Sequence, residues 1–258
     1  MDLSALSYGA AVAGGALIGL LLAVFGGGGS VLATPLLLYV VGIRDPHVAI
    51  GTAAAAVAVN AAAGLAIQAK AGRVKWPCAV VFGASGLIGS SVGAHFAKQM
   101  DGGRLLLWFA VAMAAVGMAM LLPKKADGDP NVRINGLIVA KLAPVGVVTG
   151  LAAGFFGIGG GFLIVPGLMA ATGMTLANAA ASSLVSVVLF GGATSLSYAS
   201  SGLVNWSVFA ALVVGGVAGA LVGVPVAKLL AGRAAMARIV FAVMVIVTAA
   251  YVGWRAIT

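Results

Sequence analysis

A glycine-rich stretch that occurs twice carries the residues best suited to binding chemistry in this chain. The first copy is FGGGGSVLATP at residues 25–35, and the second is FGIGGGFLIVP at residues 156–166. Glycine clusters interrupt a helix, and a following proline suits the first turn of the next one. A new helix start offers free N–H groups and a positive dipole end, which attract an anion. The sequence therefore predicts anion-binding positions at Gly27, Gly28, Gly29, Ser30, Gly159, Gly160 and Gly161.

Uncharged polar residues inside apolar stretches are the second set of candidates. Thr52 and Asn60 lie in one such stretch, and Ser182 and Ser183 begin the corresponding stretch of the other half. Polar groups are costly in hydrocarbon unless they are paired, so they are candidates for a substrate site. Hydrogen bonding between helices is an equally good explanation for the Ser and Thr hydroxyls. An amide is harder to satisfy by chance, which favours a functional role for Asn60.

The residue types that are missing exclude several classes of function. The chain has no Glu, and its five Asp residues lie near the N-terminus or in loops. No carboxylate is therefore placed to relay protons or hold a cation inside a membrane. Two His and one Cys are too few for a transition-metal path, and no nucleophile–base pair is visible. We predict that the protein is not an enzyme and has no catalytic residue, no metal site and no cofactor.

The elements that position these residues follow from composition. Hydrophobic residues make up 62% of the 258 residues and charged residues only 7%. So few charges cannot cover a soluble surface, which identifies a multi-pass membrane protein whose first partner is the lipid bilayer. The net charge of +9 would suggest nucleic acid in a soluble protein. Here the cations lie between apolar runs, so we predict no nucleic-acid partner.

Eight long apolar runs predict an all-α fold. They cover residues 5–25, 47–69, 77–97, 105–122, 135–156, 175–199, 207–230 and 236–256. Each has close to the ~20 residues that a spanning helix needs. Two shorter runs, 31–43 and 162–172, follow the glycine stretches. We predict about eight spanning helices plus two short half-helices, each preceded by a glycine break.

The two halves of the chain are related beyond the glycine stretch. Residues 72–76 match 202–206 in their Gly, Val and Trp, and residues 89–98 match 219–228 in small residues four apart and a final Ala-Lys. Small residues at this spacing let helices approach closely in lipid. We predict a first transmembrane repeat at 1–122, a polar linker at 123–134 and a second transmembrane repeat at 135–258.

Three clusters of cations bear on topology. They lie at residues 70–75, 124–133 and 228–238. If only the eight long runs cross, the third cluster falls on the opposite side from the others. If the short runs also carry the chain across, all three share one side, which the positive-inside rule prefers. This favours inverted repeats of five elements each, although re-entrant short runs remain the alternative.

The chain resembles the TauE/SafE sulfite exporter family. The resemblance is carried by the second glycine stretch, by its paired copy, and by Gly51-Thr52 with Ser182-Ser183. The resemblance covers essentially the whole chain, although Ser30 stands where the second copy has its last glycine. It implies a carrier that moves sulfite, sulfoacetate or a related sulfur-containing anion across the inner membrane.

We therefore expect a secondary transporter that exports a small sulfur-containing anion through a central site between the repeats of an inner-membrane protein. The alternatives are an uptake permease for a related anion, and a membrane-embedded assembly protein without transport activity. A metal-cation permease is disfavoured because carboxylates are missing. The anion, the direction, a coupling ion and homo-oligomer formation stay open.

Overall fold

The structure is a computed structural model that describes residues 5–121, 128, 129, 132, 134–157, 161–230 and 234–257. Apart from one isolated bridge between Asp129 and Met174, its ordered elements in these ranges are helical. The helices are α1 Ala5–Phe25, α2 Ala33–Leu36, α3 Pro46–Lys70, α4 Trp76–Gln99, α5 Gly102–Leu121, α6 Gly136–Phe156, α7 Gly161–Thr172, α8 Leu176–Ala199, α9 Trp206–Leu230 and α10 Ala234–Ile257. A 3-10 helix, Gly26–Leu32, precedes α2, and a π-helical stretch, Leu37–Val41, follows it.

Eight helices in the described parts of the chain are long and apolar enough to cross a membrane, which confirms the predicted number. A helix satisfies its backbone hydrogen bonds within itself, as hydrocarbon requires. The first candidate span continues from Ala5 through Val41, and the apolar helix Leu163–Thr172 is shorter than the eight.

Most of the predicted linker, including Lys124, Lys125 and Arg133, lies outside the described residues. Asp129 is described, and its N–H donates to the Gly173 carbonyl at 2.8 Å.

Packing between the helices is unchanged when the two halves are exchanged. Helix α1 packs on α9 and α6 packs on α4, while α3 packs on α8 and α5 on α10. The backbone also adopts the same conformation at corresponding positions of the two halves. The glycines with positive φ form three pairs about 130 residues apart, namely Gly26 with Gly157, Gly42 with Gly173, and Gly72 with Gly202.

Small residues bring α4 onto α6 and α9 onto α1, as the four-residue spacing predicts. A Cβ added at Gly89 would overlap the Val147 carbonyl, and one at Gly93 the Leu151 carbonyl. In the other half, a Cβ at Gly219 would overlap the Ala16 carbonyl. Only glycine permits such a close approach of the two backbones. In lipid the hydrophobic effect does not hold helices together, so the close van der Waals packing supplies the attraction.

The same contacts give the direction of each helix. Gly51 lies at Tyr198 and Gly64 at Leu184, so α3 and α8 run antiparallel. Gly117 of α5 lies at Ile246 of α10 while Gly253 lies at Ala110, so this pair is also antiparallel. Gly215 contacts Val12 and Gly219 contacts Ala16, so α1 and α9 run parallel.

Residues 26–41 return the chain along α1, and we call them the first return segment. Gly29 contacts the backbone of Leu21, near the end of α1, whereas Leu36 fills the space beside Gly14 in its middle. Helix α7 is the second return segment, because its Gly167 lies beside Val145 of α6. Each return segment runs antiparallel to the helix before it, so α3 starts at the end of the bundle where α1 starts.

The bundle therefore has a basic end, which carries residues 70–75, and a distal end, which carries residues 200–205. Lys75 contacts Ser182 near the start of α8, and Asp129 contacts Gly173 just before α8, so both belong to the basic end. Asn60 of α3 packs on Gly216 of α9 and Thr52 bonds Asn205, so α9 runs parallel to α3 and also ends there. Arg233 lies outside the described residues, as do the side chains of Lys228 and Arg238.

Candidate functional site

The first glycine stretch ends α1, as the sequence predicts, but it is wound more tightly than an open helix start. Gly26 has a φ of 63° and turns the chain, and Gly26–Leu32 then continue as a 3-10 helix in which every residue is buried. Residues without side chains can wind this tightly against their neighbours, and a Cβ at Gly26 would overlap the Ala180 backbone. In a 3-10 helix the amides bond to the carbonyls three residues before them, so fewer N–H groups remain free than at an open helix start.

One of the predicted donors is already bonded. The Gly27 N–H donates to Ser183 Oγ at 3.1 Å, and the Ser183 hydroxyl donates to the Ala180 carbonyl at 2.7 Å. The Ser30 hydroxyl donates to the Gly27 carbonyl at 2.8 Å. Gly27, Ser30 and Ser183 therefore form one buried chain of hydrogen bonds that holds the first return segment against α8.

Gly28 has more space beside its backbone than Gly26 or Gly29. A methyl group there would lie 3.6 Å from the Phe241 ring and 3.7 Å from Phe25 Cβ, which are ordinary contacts. At Gly29 a methyl group would overlap the Leu21 and Leu22 backbone instead. The backbone at Gly28 is therefore less crowded than the backbone at Gly26 and Gly29.

The second glycine stretch enters the bundle from the other end. Gly157, with a φ of 66°, packs on Ile50 near the start of α3, whereas Gly26 packs on Ala180 near the start of α8. Gly159 and Gly160 lie outside the described residues, and Gly161 begins α7. The two return segments contact each other, and Val31 and Leu32 share a hydrophobic cluster with Leu163. The two return segments thus approach from opposite ends and contact each other inside the bundle.

Thr52 and Ser182 have matching roles in loop attachment. Thr52 Oγ1 accepts the Asn205 N–H at 2.9 Å, and Ser182 Oγ accepts the Lys75 N–H at 2.9 Å. Each hydroxyl thus ties the loop before a packing helix to the neighbouring helix of the other half. The structure therefore favours hydrogen bonding between helices for these two hydroxyls, which the sequence analysis left open.

Asn60 is the candidate whose side chain is incompletely bonded. It is 1% exposed, its Nδ2 donates to the Leu212 carbonyl at 3.3 Å, and its Oδ1 has no hydrogen-bond partner in the described structure. The amide packs on Gly216, where a Cβ would overlap it. In the other half, the ring of Phe190 packs on Gly86 in the same way. The position that holds the apolar ring of Phe190 in the second half thus holds the polar amide of Asn60 in the first.

Other buried polar groups were not singled out as site residues from the sequence. The hydroxyls of Thr34, Ser186 and Thr194 are fully buried and lack a partner among the described residues. Thr34 lies within the first glycine-rich stretch, directly before its proline, which was a usable signal. His47 and Tyr198, whose rings lie 6.3 Å apart, also have partnerless buried atoms, and nothing in their spacing predicted this pairing.

Comparison with known proteins identifies the family. The family model described as Sulfite exporter TauE/SafE matches residues 11–252. The chain belongs to this family. A Xylella fastidiosa protein named "Probable membrane transporter protein" is 45% identical over 95% of this chain and 94% of its own length. A Bacillus subtilis protein named "Probable membrane transporter protein YunE" is 28% identical over 78% of this chain and 79% of its own length.

No solved structure matches the chain. Family membership, the names of the relatives and the eight apolar helices together support a multi-pass membrane transporter.

Proposed function

We propose that this TauE/SafE family member is a secondary carrier that exports a small sulfur-containing anion, such as sulfite or an organosulfonate, across the inner membrane. The observation that carries the proposal is the first return segment. It places a buried glycine backbone, with Gly28 uncrowded, where it meets the second return segment inside the bundle. A membrane interior tolerates such backbone where it is buried in protein or lines a cavity, and we propose that here it lines a path for a polar substrate.

The available ligands for the anion are neutral. The Gly28 backbone and the partnerless hydroxyl of Thr34 belong to the return segment, and Ser186 adds a hydroxyl from α8. Asn60 of α3 offers the second N–H of its Nδ2, since the first donates to the Leu212 carbonyl. Neutral donors bind an anion weakly enough to release it on the far side. The family description and the resemblance favour a sulfur oxyanion.

We also propose that the halves are inverted repeats. Support comes from the antiparallel packing of α3 on its counterpart α8 and of α5 on α10. A two-fold axis along the membrane normal would leave counterpart helices parallel, whereas an axis in the membrane plane reverses them. If each half can adopt the conformation of the other, the site at the return segments opens first to one side of the membrane and then to the other, which is alternating access.

The experiment that tests transport is flux into and out of proteoliposomes with sulfite, sulfoacetate, thiosulfate and sulfate. We expect saturable flux of at least one sulfur anion. A Gly28→Ala variant should lose roughly tenfold in flux, because the added methyl group keeps the backbone N–H but occupies the space beside it that the anion is proposed to fill. Gly9→Ala is the matched control, since a methyl group there contacts nothing within 4 Å. Equal flux from both variants would remove Gly28 from the site.

The driving force can be tested in the same vesicles. The apolar runs contain no acidic residue, and the membrane potential alone favours anion efflux by ~2.3 kcal/mol per charge per 100 mV. We expect efflux to accelerate when potassium and valinomycin make the vesicle interior negative, without a sodium or pH gradient. Efflux that ignores the potential and follows a pH or sodium gradient would require a coupling ion.

A further inference from the structure

A cleft of about 660 Å³ opens at the distal end of the bundle, away from the return segments. It lies between the end of α4, the start of α5 and the end of α6. Its lining residues are Phe96, Gln99, Met100, Asp101, Arg104, Leu151 and Phe155. The transport proposal uses none of these residues.

Polarity changes with depth in this cleft. Gln99, Asp101 and Arg104 lie where the candidate spans of α4 and α5 end and begin. Phe96 and Leu151 lie about one helical turn further into the bundle, and they are 57% and 45% exposed. Polar groups at the membrane boundary above exposed apolar groups match the order of headgroup and acyl chain in a phospholipid.

The charges in the cleft select among headgroups. Arg104 is exposed, and its guanidinium has no hydrogen bond or ion pair within the described structure. Asp101 Oδ1 accepts the N–H groups of Gly103 and Arg104 at 3.1 Å and 3.2 Å, whereas Oδ2 has no recorded bond among the described residues. One free cation beside one free carboxylate oxygen suits a headgroup that carries both charges.

We propose that this cleft binds a zwitterionic phospholipid with a primary ammonium headgroup, that is, a phosphatidylethanolamine. The phosphate lies at Arg104, which matches phosphate oxygens with its planar N–H donors. The ammonium donates to Asp101 Oδ2, and one acyl chain packs on Phe96 and Leu151. A trimethylated choline headgroup has no N–H to donate, and a glycerol headgroup has no cation for Asp101.

Native mass spectrometry of the purified full-length protein tests this proposal. The protein is incubated with equal amounts of phosphatidylethanolamine, phosphatidylcholine and phosphatidylglycerol that have the same acyl chains. We expect one tightly retained lipid, with phosphatidylethanolamine preferred about two- to fivefold, the size expected of one exposed ion pair. Equal retention of the ethanolamine and choline lipids would overturn the proposal.

Two substitutions separate the charges. Asp101→Asn keeps the helix cap, because Asn caps as well as Asp, and should abolish the preference over the choline lipid. Arg104→Gln should weaken the binding of all three lipids, and Arg104→Lys should partly restore that binding. Arg73→Gln, at the basic end, is the control and should leave lipid binding unchanged. An unchanged preference in Asp101→Asn would contradict the assigned ammonium contact. Displacement of the lipid by soluble phosphoethanolamine at equal concentration would show a water-soluble ligand and would overturn the lipid assignment.

Discussion

At the scale of single residues, the predicted site separates into groups with different tasks. Thr52 and Ser182 tie loops to helices, and Ser30 and Ser183 hold the first return segment. Among the predicted side chains, only that of Asn60 has a buried atom that lacks a partner in the described parts of the chain. The sequence could place these polar residues inside apolar runs, but it could not show which of them bond to the backbone, because the partners of Thr52, Ser182 and Ser183 lie more than 100 residues away in the chain.

The loop contact of Thr52 can be tested by its effect on stability. Thr52→Val removes the acceptor of the Asn205 N–H while keeping the shape of the side chain. An unpaired N–H at this part-buried position costs about 1–3 kcal/mol, so we expect a lower melting temperature in detergent. Thr248→Val is the control, because that hydroxyl donates to the Met244 carbonyl within its own helix. Equal melting temperatures for the two variants would mean that the loop contact contributes nothing.

At the scale of elements, the long helices and their small-residue contacts were predictable, and the return segments were predictable only in part. Apolar runs of sufficient length and glycines four apart have direct structural meanings in lipid. A glycine cluster does not, because it permits either a break or tight winding. The structure has both, because α1 ends at Phe25 and the chain then winds tightly through Gly26–Leu32, where α8 packs on Gly26 and α1 packs on Gly29.

Close packing of α4 on α6 gives the prediction at this scale. A methyl group at Gly150 would overlap the backbone of Gly86, so Gly150→Ala must separate the two helices. We expect a melting temperature several degrees lower and poor recovery from the membrane, which thermal melting monitored by size-exclusion chromatography measures. Gly192→Ala is the control, because its methyl group meets nothing within 4 Å and alanine favours a helix by about 1 kcal/mol. A stable Gly150→Ala variant would show that the helices can move apart without loss.

At the scale of the whole molecule, the decisive feature is the return of the chain after α1 and after α6. The sequence predicted two possible topologies and could not choose firmly, because runs of 11–13 residues are too short to span a membrane as α-helices. In the structure, 3-10 and π winding extend the first of these runs into one continuous stretch with the glycines. The return segments bring residues 70–75 to one end of the bundle and residues 200–205 to the other.

This arrangement predicts the outcome of cysteine labelling in whole cells. In a Cys78→Ala background, Ala71→Cys tests the exposed loop at the basic end, and Ser200→Cys tests the exposed loop at the distal end. We expect a membrane-impermeant maleimide to label position 200 in intact cells and position 71 only after permeabilisation, because the positive-inside rule places the basic end in the cytoplasm. If only the eight long helices crossed the membrane, both positions would lie on one side and label together. Labelling of both from one side would therefore contradict the return segments, whereas labelling of position 71 alone from outside would keep them and reverse the orientation.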